Sequence, residues 1–522
     1  MSGLETESLT RKSLRHLPFV FLLAYLAVVF DGLLFYTQGV YENDAFFHAR
    51  YSQLLPQQGL SRSFPWMQFS LWRDAYCDKD FLYHVVLMPF VRAGEALDGA
   101  KVFTLLLALS VMLTAYGLLI RWRVPWATVW VGLLALGSGI FLSRLLMIRS
   151  HGLSILLTLI SLYVISLGRF WPTFIVGFIY SWSYSFPLAM VLTAIGMECG
   201  RRILIGKQDG APRAVFGALA GAVAGLLIHP YSPNTVGTLW LLLNISAAGA
   251  TGGTIELGSE FRPLAFIDMF YVMPGMMLAL AFAIVGVLWL RSKKTAENTP
   301  LSSESAAVLG AALGWFAGLF VFMRMAEYFA PAVVIAAALI ARDILRATQM
   351  DAKLPRNGQL AGILASVLLL AGCHHLALQG VRGLSLLRRP FYPSDETWYR
   401  GRYFGGATAW LKAHANPNET IINFHWDDFP ELYYQSPEHR FLVGLDPTLM
   451  SLKHPDDARV LEEMRTLKRP LDFAELGKRF GSRYIVMRNY RSQVFPEVKS
   501  GKVKPIYADE LAVVFELPSS QK

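Results

Sequence analysis

Apolar runs of about 17–22 residues recur through the first three-quarters of this chain, and a helix needs roughly 20 such residues to cross a bilayer core. A segment in hydrocarbon must satisfy its own backbone, so repeated runs of this length commit the chain to membrane helices. The runs predict spans at 17–37, 101–121, 126–143, 151–168, 171–186, 187–200, 213–230, 269–290, 305–322, 325–341 and 359–380. That is about eleven, up to thirteen, where 171–200, split at Pro187, is one kinked helix or a tight hairpin and the apolar stretch near 235–250 is a re-entrant or interfacial piece. The N-terminal run is long and lacks a small-residue cleavage site before Tyr41, so it reads as a retained first helix rather than a signal peptide.

Composition agrees. Charged residues make up 16% of the 522, against about 25% in soluble proteins. The formal charge of +10 sits mostly in short loops, where Lys and Arg set membrane orientation, so it gives no case for a nucleic-acid partner. The partner it implies is the lipid bilayer. With the N-terminus inside, inner segments collect Arg121, Arg123, Arg169, Arg201, Arg202, Lys207, Arg291, Lys293, Lys294, Arg342 and Arg346, while short outer turns hold Arg144, Arg149 and Arg324. An odd number of spans then puts the C-terminal region outside. Cys77, Cys199 and Cys373 are scattered without metal-ligand spacing or a disulfide framework.

Two outer loops are long, 38–100 and 231–268, and too aromatic to be disordered. From about Phe391 the pattern changes. "TIINFHW", "RFLVGLD", "RYIVMR" and "LAVVFEL" read as short buried strands, with "HPDDARVLEEMRTL" and "LDFAELGKRFG" as helices between them. The expected organisation is therefore a polytopic α-helical membrane domain over 1–390 and a C-terminal extracytoplasmic α/β domain over 391–522.

The orientation gathers the unusual polar clusters on the outer side: Asp44, His48 and Arg50 in "YENDAFFHAR", Asp78, Asp80 and His84 in "CDKDFLYH", Arg149 and His151 in "MIRSHGLS", Glu256 and Glu260, and Arg324 with Glu327. Ionisable groups at membrane depth mark functional sites when several converge. A carboxylate there can activate a nucleophile, and arginines can neutralise a phosphate leaving group. The combination suits transfer from a lipid phosphate. Singly, each residue also fits a wet outer loop, and Arg324 with Glu327 fits a structural pair on one helix face. Two other classes remain open, a transporter of lipid-linked sugar and a non-catalytic binding scaffold.

These motifs carry a resemblance. "YENDAFFHAR" is similar to the first outer loop of oligosaccharyltransferase catalytic subunits, with Asp44 on the catalytic, metal-binding aspartate and Arg50 on the basic residue that follows. "GSEFRPLAF" resembles a second motif of that family, with Ser259 and Glu260 on its last two positions. "FHWDDFPELYYQ" resembles its Trp-Trp-Asp region, with Trp426 and Asp427 matching and His425 in place of the first Trp. The resemblance implies a GT-C fold and a glycosyltransferase using a polyprenyl-linked sugar donor in a bacterial inner membrane. It also implies catalytic roles for Asp44 and Glu260, which would hold a divalent ion (Mg or Mn). Donor phosphate contacts would come from Arg149, His151, Arg324, His48 and Arg50, and acceptor contacts from Trp426 and Asp427. The acceptor itself, protein, lipid or glycan, is left open. One departure stands out: the family's acidic pair between the third and fourth spans is replaced here by Arg149 and His151.

Overall fold

A computed structural model of the chain describes residues 16–35, 40, 42–206, 211–250, 262–293, 300–348, 371–372 and 403–518. Helices dominate up to residue 348. They are α1 (Leu17–Phe35), α2 (Asp44–Gln58), α3 (Phe81–Leu87), α4 (Ala96–Arg121), α5 (Ala127–Leu136), α6 (Gly139–Leu145), α7 (His151–Ser166), α8 (Phe170–Ser183), α9 (Leu188–Ile205), α10 (Ala211–Leu227), α11 (Asn234–Ala250), α12 (Phe266–Val272), α13 (Pro274–Ser292), α14 (Ser303–Leu319) and α15 (Ala326–Thr348).

By length and composition α1, α4, α13 and α15 can cross a membrane, and α5 with α6 makes a fifth if the bent pair is one span. The bend is 86°, so the expected straight span 126–143 is broken. One cause is local and one is tertiary. The Ser138 hydroxyl accepts from the Phe141 N–H and caps a new helix. The Gly137 carbonyl accepts from the Gly275 N–H at 2.9 Å. The other expected spans between 151 and 322 are helices of 14 to 18 residues. Fourteen residues reach about 21 Å, short of a hydrocarbon core of about 30 Å. Among the described residues, four helices, or five with the bent pair, are long and apolar enough to cross a membrane by themselves, and shorter apolar helices pack among them. The region 171–200 resolves into two helices with different neighbours, α8 against α10 and α9 against α14. Span 359–380 lies outside the described residues except for 371–372.

Helix α15, with the turn Met323–Met325 before it, is the axis of the bundle. Of its most apolar window, 89% is buried, as suits a helix apolar on all sides. Close helix contact elsewhere uses small residues. On α10, Gly221 and Gly225 press on α8 so tightly that a Cβ would lie 3.0 Å from Phe174 Cα and 2.8 Å from the Phe178 carbonyl oxygen.

The C-terminal region forms a five-stranded mixed sheet of β1 (Thr420–Asn423), β2 (Arg440–Phe441), β3 (Tyr484–Arg488), β4 (Tyr507–Ala508) and β5 (Ala512–Glu516), in the order β2-β1-β3-β5-β4. Strand β1 pairs in parallel with β2 and β3, and β5 runs antiparallel to β3 and β4. The first long loop is bonded to this sheet: Gln68 N–H donates to the Phe441 carbonyl and Phe441 N–H to the Trp66 carbonyl, both at 2.8 Å. Phe47, Tyr51, Phe64 and Trp72 share one apolar core with Phe429, Tyr433 and Phe441. This shared core fixes α2, and with it Asp44, between bundle and sheet.

Candidate active site

Asp44 opens α2, and Arg149 sits in the tight turn between α6 and α7. Their side chains meet: Arg149 Nη2 lies 3.0 Å from Asp44 Oδ2, and Arg149 Nη1 donates to Glu42 Oε2 at 3.3 Å. The arginine is thus held between two carboxylates. It is 22% exposed and Asp44 26%, so the pair remains open to a ligand. The turn itself is pinned. The Ser150 hydroxyl donates to Asp80 Oδ1 at 2.7 Å, and Lys79 Nζ binds Asp80 Oδ2 at 2.8 Å. Burial opposes ionisation of Asp80, but Lys79, His48 and His84 outweigh it and hold the carboxyl well below the usual range.

A second cluster lies deeper. Arg144 at the end of α6 meets Glu327 at the start of α15 at 2.9 Å, and the Tyr184 hydroxyl donates to the other Glu327 oxygen at 2.7 Å. Arg324 donates to that same hydroxyl at 2.8 Å. The expected Arg324–Glu327 pair is therefore not formed directly. Glu327 takes Arg144, and Tyr184 stands between Glu327 and Arg324. His151 packs edge-on against Tyr184 with its Nε2 3.8 Å from Glu327. Lys79, Arg144, Arg149 and Arg324 all lie within electrostatic reach of His151. The sequence-predicted Arg149, His151 and Arg324 thus share one neighbourhood, with Asp44 attached through Arg149.

A small, half-open pocket of about 20 Å³ adjoins this neighbourhood at Tyr184. Lys79 and Tyr184 line its charged end, Leu226, Leu239 and Leu242 its apolar side, and His229 its wall. Burial pushes His229 down to about 4, against the pull of Asp78. Lys79, Tyr184 and Glu42 were not singled out from the sequence. Glu42 lies inside the motif "YENDAFFHAR", and Tyr184 lies in "WSYSFP", a polar break before Pro187 that signals a helix end.

His48 lies one turn along α2 from Asp44, on the same face. Its Nδ1 meets His84 Nε2 at 2.7 Å, and His84 Nδ1 meets Asp78 at 2.8 Å. Burial, reinforced by His84, depresses His48 well below the ordinary histidine value, while Asp80 acts in the other direction. A buried histidine kept neutral and tied to a second histidine is a weak phosphate ligand, so its expected role gives way to support beneath Asp44. Arg50 also changes role. Its Nε donates to the Tyr434 carbonyl at 2.7 Å and its guanidinium stacks 4.6 Å from the Tyr434 ring. It clamps α2 to the C-terminal region and lies in no contact with Arg149.

The "HWDD" turn reaches the site through its backbone: Asn43 Nδ2 donates to the Asp427 carbonyl at 2.8 Å, one residue from Asp44. The Asp427 carboxylate is committed to a bidentate pair with Arg491 at 2.7 Å on both arms. Trp426 is half-buried against the shared core. The two residues therefore shape the wall near Asp44, and Asp427 contributes a carbonyl position rather than a carboxylate.

At Asp44, one of its two expected ligands, the divalent ion fits poorly. Both Glu42 and Asp44 already face a guanidinium, which stays charged at any physiological pH and repels a second cation. No group of three His, Cys, Asp or Glu side chains among the described residues could hold a metal. Glu260, the second expected ligand, and Glu256 lie outside the described residues.

No protein-family profile and no curated protein sequence matches the chain. Solved structures do. The oligosaccharyltransferase of Archaeoglobus fulgidus in its apo form aligns with TM-score 0.59 at 13% identity, over 90% of this chain and 69% of that one. In complex with an inhibitory peptide and a dolichol-phosphate it aligns with TM-score 0.58 over the same shares. Its complex with Zn and sulfate gives 0.55 at 12% identity, over 89% and 67%. An arabinofuranosyltransferase from Mycobacteria aligns with TM-score 0.52 at 13% identity, over 96% of this chain and 40% of that larger one. At these identities the likeness is one of fold, and the fold of this chain is that of the GT-C membrane glycosyltransferases.

Proposed function

We propose that this chain is a membrane glycosyltransferase that moves a sugar or oligosaccharide from a polyprenyl-phosphate or -diphosphate carrier to an acceptor at the outer face of a bacterial inner membrane. The observation that carries the reading is the 3.0 Å contact of Asp44 with Arg149: a carboxylate able to take a proton stands beside a cation able to meet a phosphate. Inverting transfer needs both. The acceptor hydroxyl or amide gives its proton to Asp44 as its heavy atom attacks the anomeric carbon. The bond from that carbon to the carrier phosphate breaks, and its electron pair leaves with the phosphate. Arg149, Arg324 and Lys79 stabilise the charge that develops there. The apolar side chains of Leu226, Leu239 and Leu242 lie where the first units of the lipid tail would run, and an archaeal oligosaccharyltransferase of the same fold is solved with a dolichol-phosphate. The "HWDD" turn borders the acceptor side, and Glu260, on its family position, orients the acceptor. The C-terminal sheet then lies outside the cytoplasm.

A transporter would need polar groups along a path through the bundle. At the opposite end from the site, Arg342 instead closes on Asp343, Ser302 and the Trp122 carbonyl at 2.7–3.0 Å. The test is transfer from a radiolabelled polyprenyl-phosphate sugar in proteoliposomes. Asp44→Asn abolishes transfer while carrier binding persists. Undiminished turnover in that variant removes Asp44 from the chemistry, and binding without turnover in the native protein favours a scaffold.

A further inference from the structure

We infer that Arg149 is a built-in cation that takes the place of a divalent ion in this site, so that carrier binding and sugar transfer need no metal. The inference rests on the glycosyl-transfer reading but stands on its own observations. Glu42 and Asp44, two residues apart where the chain enters α2, would repel each other without a counter-charge. Arg149 supplies it to both, at 3.3 and 3.0 Å. A guanidinium offers five N–H donors in a rigid fork matched to carboxylates and phosphates, so one group can grip two carboxylates and still face a phosphate.

The turn holds Arg149 in position from several sides. Its own N–H donates to the Met147 carbonyl at 2.8 Å, and the next residue, Ser150, is anchored to Asp80. Glu42 is 9% exposed and anchors the inner arm, while Asp44 stays open to the ligand. The sequence tells the same story from the other direction. Where the resemblance implies an acidic pair, "MIRSHGLS" holds Arg149, which brings a positive charge of its own. The second replacement, His151, is buried beside the Arg144–Glu327 pair rather than beside Asp44. The substitution of ion by arginine is therefore local to one side chain.

The experiment uses the full chain in nanodiscs with Mn²⁺ and an unmodified polyprenyl phosphate as probes. Mn²⁺ binding is read by electron paramagnetic resonance and calorimetry, and lipid binding by quenching of intrinsic fluorescence. The native protein holds no stoichiometric Mn²⁺, and excess EDTA leaves its polyprenyl-phosphate affinity within twofold. Arg149→Gln weakens that affinity about tenfold or more, and added Mn²⁺ does not restore it. Arg149→Asp creates an acidic cluster and gains Mn²⁺ binding that a further Asp44→Asn removes. The inference is overturned if the native protein binds one Mn²⁺ that Asp44→Asn abolishes, or if EDTA lowers the lipid affinity about tenfold. The EDTA measurement uses the native chain alone, so an Asp44→Asn variant that misfolds does not rescue the idea. Failure to bind any polyprenyl phosphate would sink the glycosyl-transfer reading instead, leaving the Mn²⁺ result to judge the cation.

Discussion

Arg144 and Arg149 are five residues apart, and each ends on a carboxylate brought from far along the chain. Arg144 is 4% exposed and its partner Glu327 fully buried; Arg149 and Asp44 are 22% and 26% exposed. The deep pair is closed off by the Tyr184 hydroxyl, and the shallow one is partly exposed. The same ion-pair chemistry therefore does two jobs. At depth, removing one partner strands an uncompensated charge in low dielectric. At the rim, water screens the loss and the pair contributes little to stability, which leaves its charges available to a ligand.

The hardest test of this contrast is Glu327→Ala. It leaves Arg144 buried without its carboxylate, and such losses cost about 3–5 kcal/mol, so the variant should show a markedly lower unfolding temperature or fail to accumulate as a monodisperse protein. A variant of native stability that lost only transfer would reverse the roles of the two pairs. Asp44→Asn is the complement. Its effect on unfolding should stay below about 1 kcal/mol, while transfer falls by about 10²-fold or more, the range for losing a general base. Arg324→Gln tests the link between them. It removes a donor to Tyr184 and a cation near the pocket, and should weaken polyprenyl-phosphate binding about tenfold, or roughly 1.4 kcal/mol, with little change in fold.

The smallest effect concerns pH. His48, behind Asp44, has a folded-state value depressed mainly by burial. Its unfolded value is near 6.5, so the unfolded chain binds the extra proton first as pH falls. The stability His48 contributes is present above about 6.5 and is lost as the solution becomes more acidic, toward its depressed folded value. His48→Gln should flatten the acid side of the stability–pH curve below about pH 6.5, measured by denaturant unfolding. An unchanged acid limb would mean that other groups carry that dependence.

Part of this was legible from residue order. Hydrophobic periodicity is local, so the membrane helices and the C-terminal strands could be read directly: "TIINFHW" holds β1, "RYIVMR" β3 and "LAVVFEL" β5. Helix continuity was less legible. The break at Gly137–Ser138 depends on Gly275, far away in sequence, taking the Gly137 carbonyl, and no window around 126–143 contains that partner. The candidate site divides in the same way. Asp44, Arg149, His151 and Arg324 stood out because charges are rare beside apolar runs. Arg50 stood out for the same reason and proved to be a clamp, since nothing in "YENDAFFHAR" foretells the Tyr434 ring and carbonyl that receive it.

What the sequence alone determined is the chemistry available: apolar segments that must be helical in lipid, a terminal α/β region, and an unusual stock of acids and arginines beside the apolar runs. All three follow from transfer free energies, which each residue carries wherever it sits. Which of those charges face each other, and how deeply, was decided only by tertiary structure. Coulomb energy depends on separation and on the surrounding dielectric, and neither quantity exists until α2, the 146–150 turn and the start of α15 have packed together.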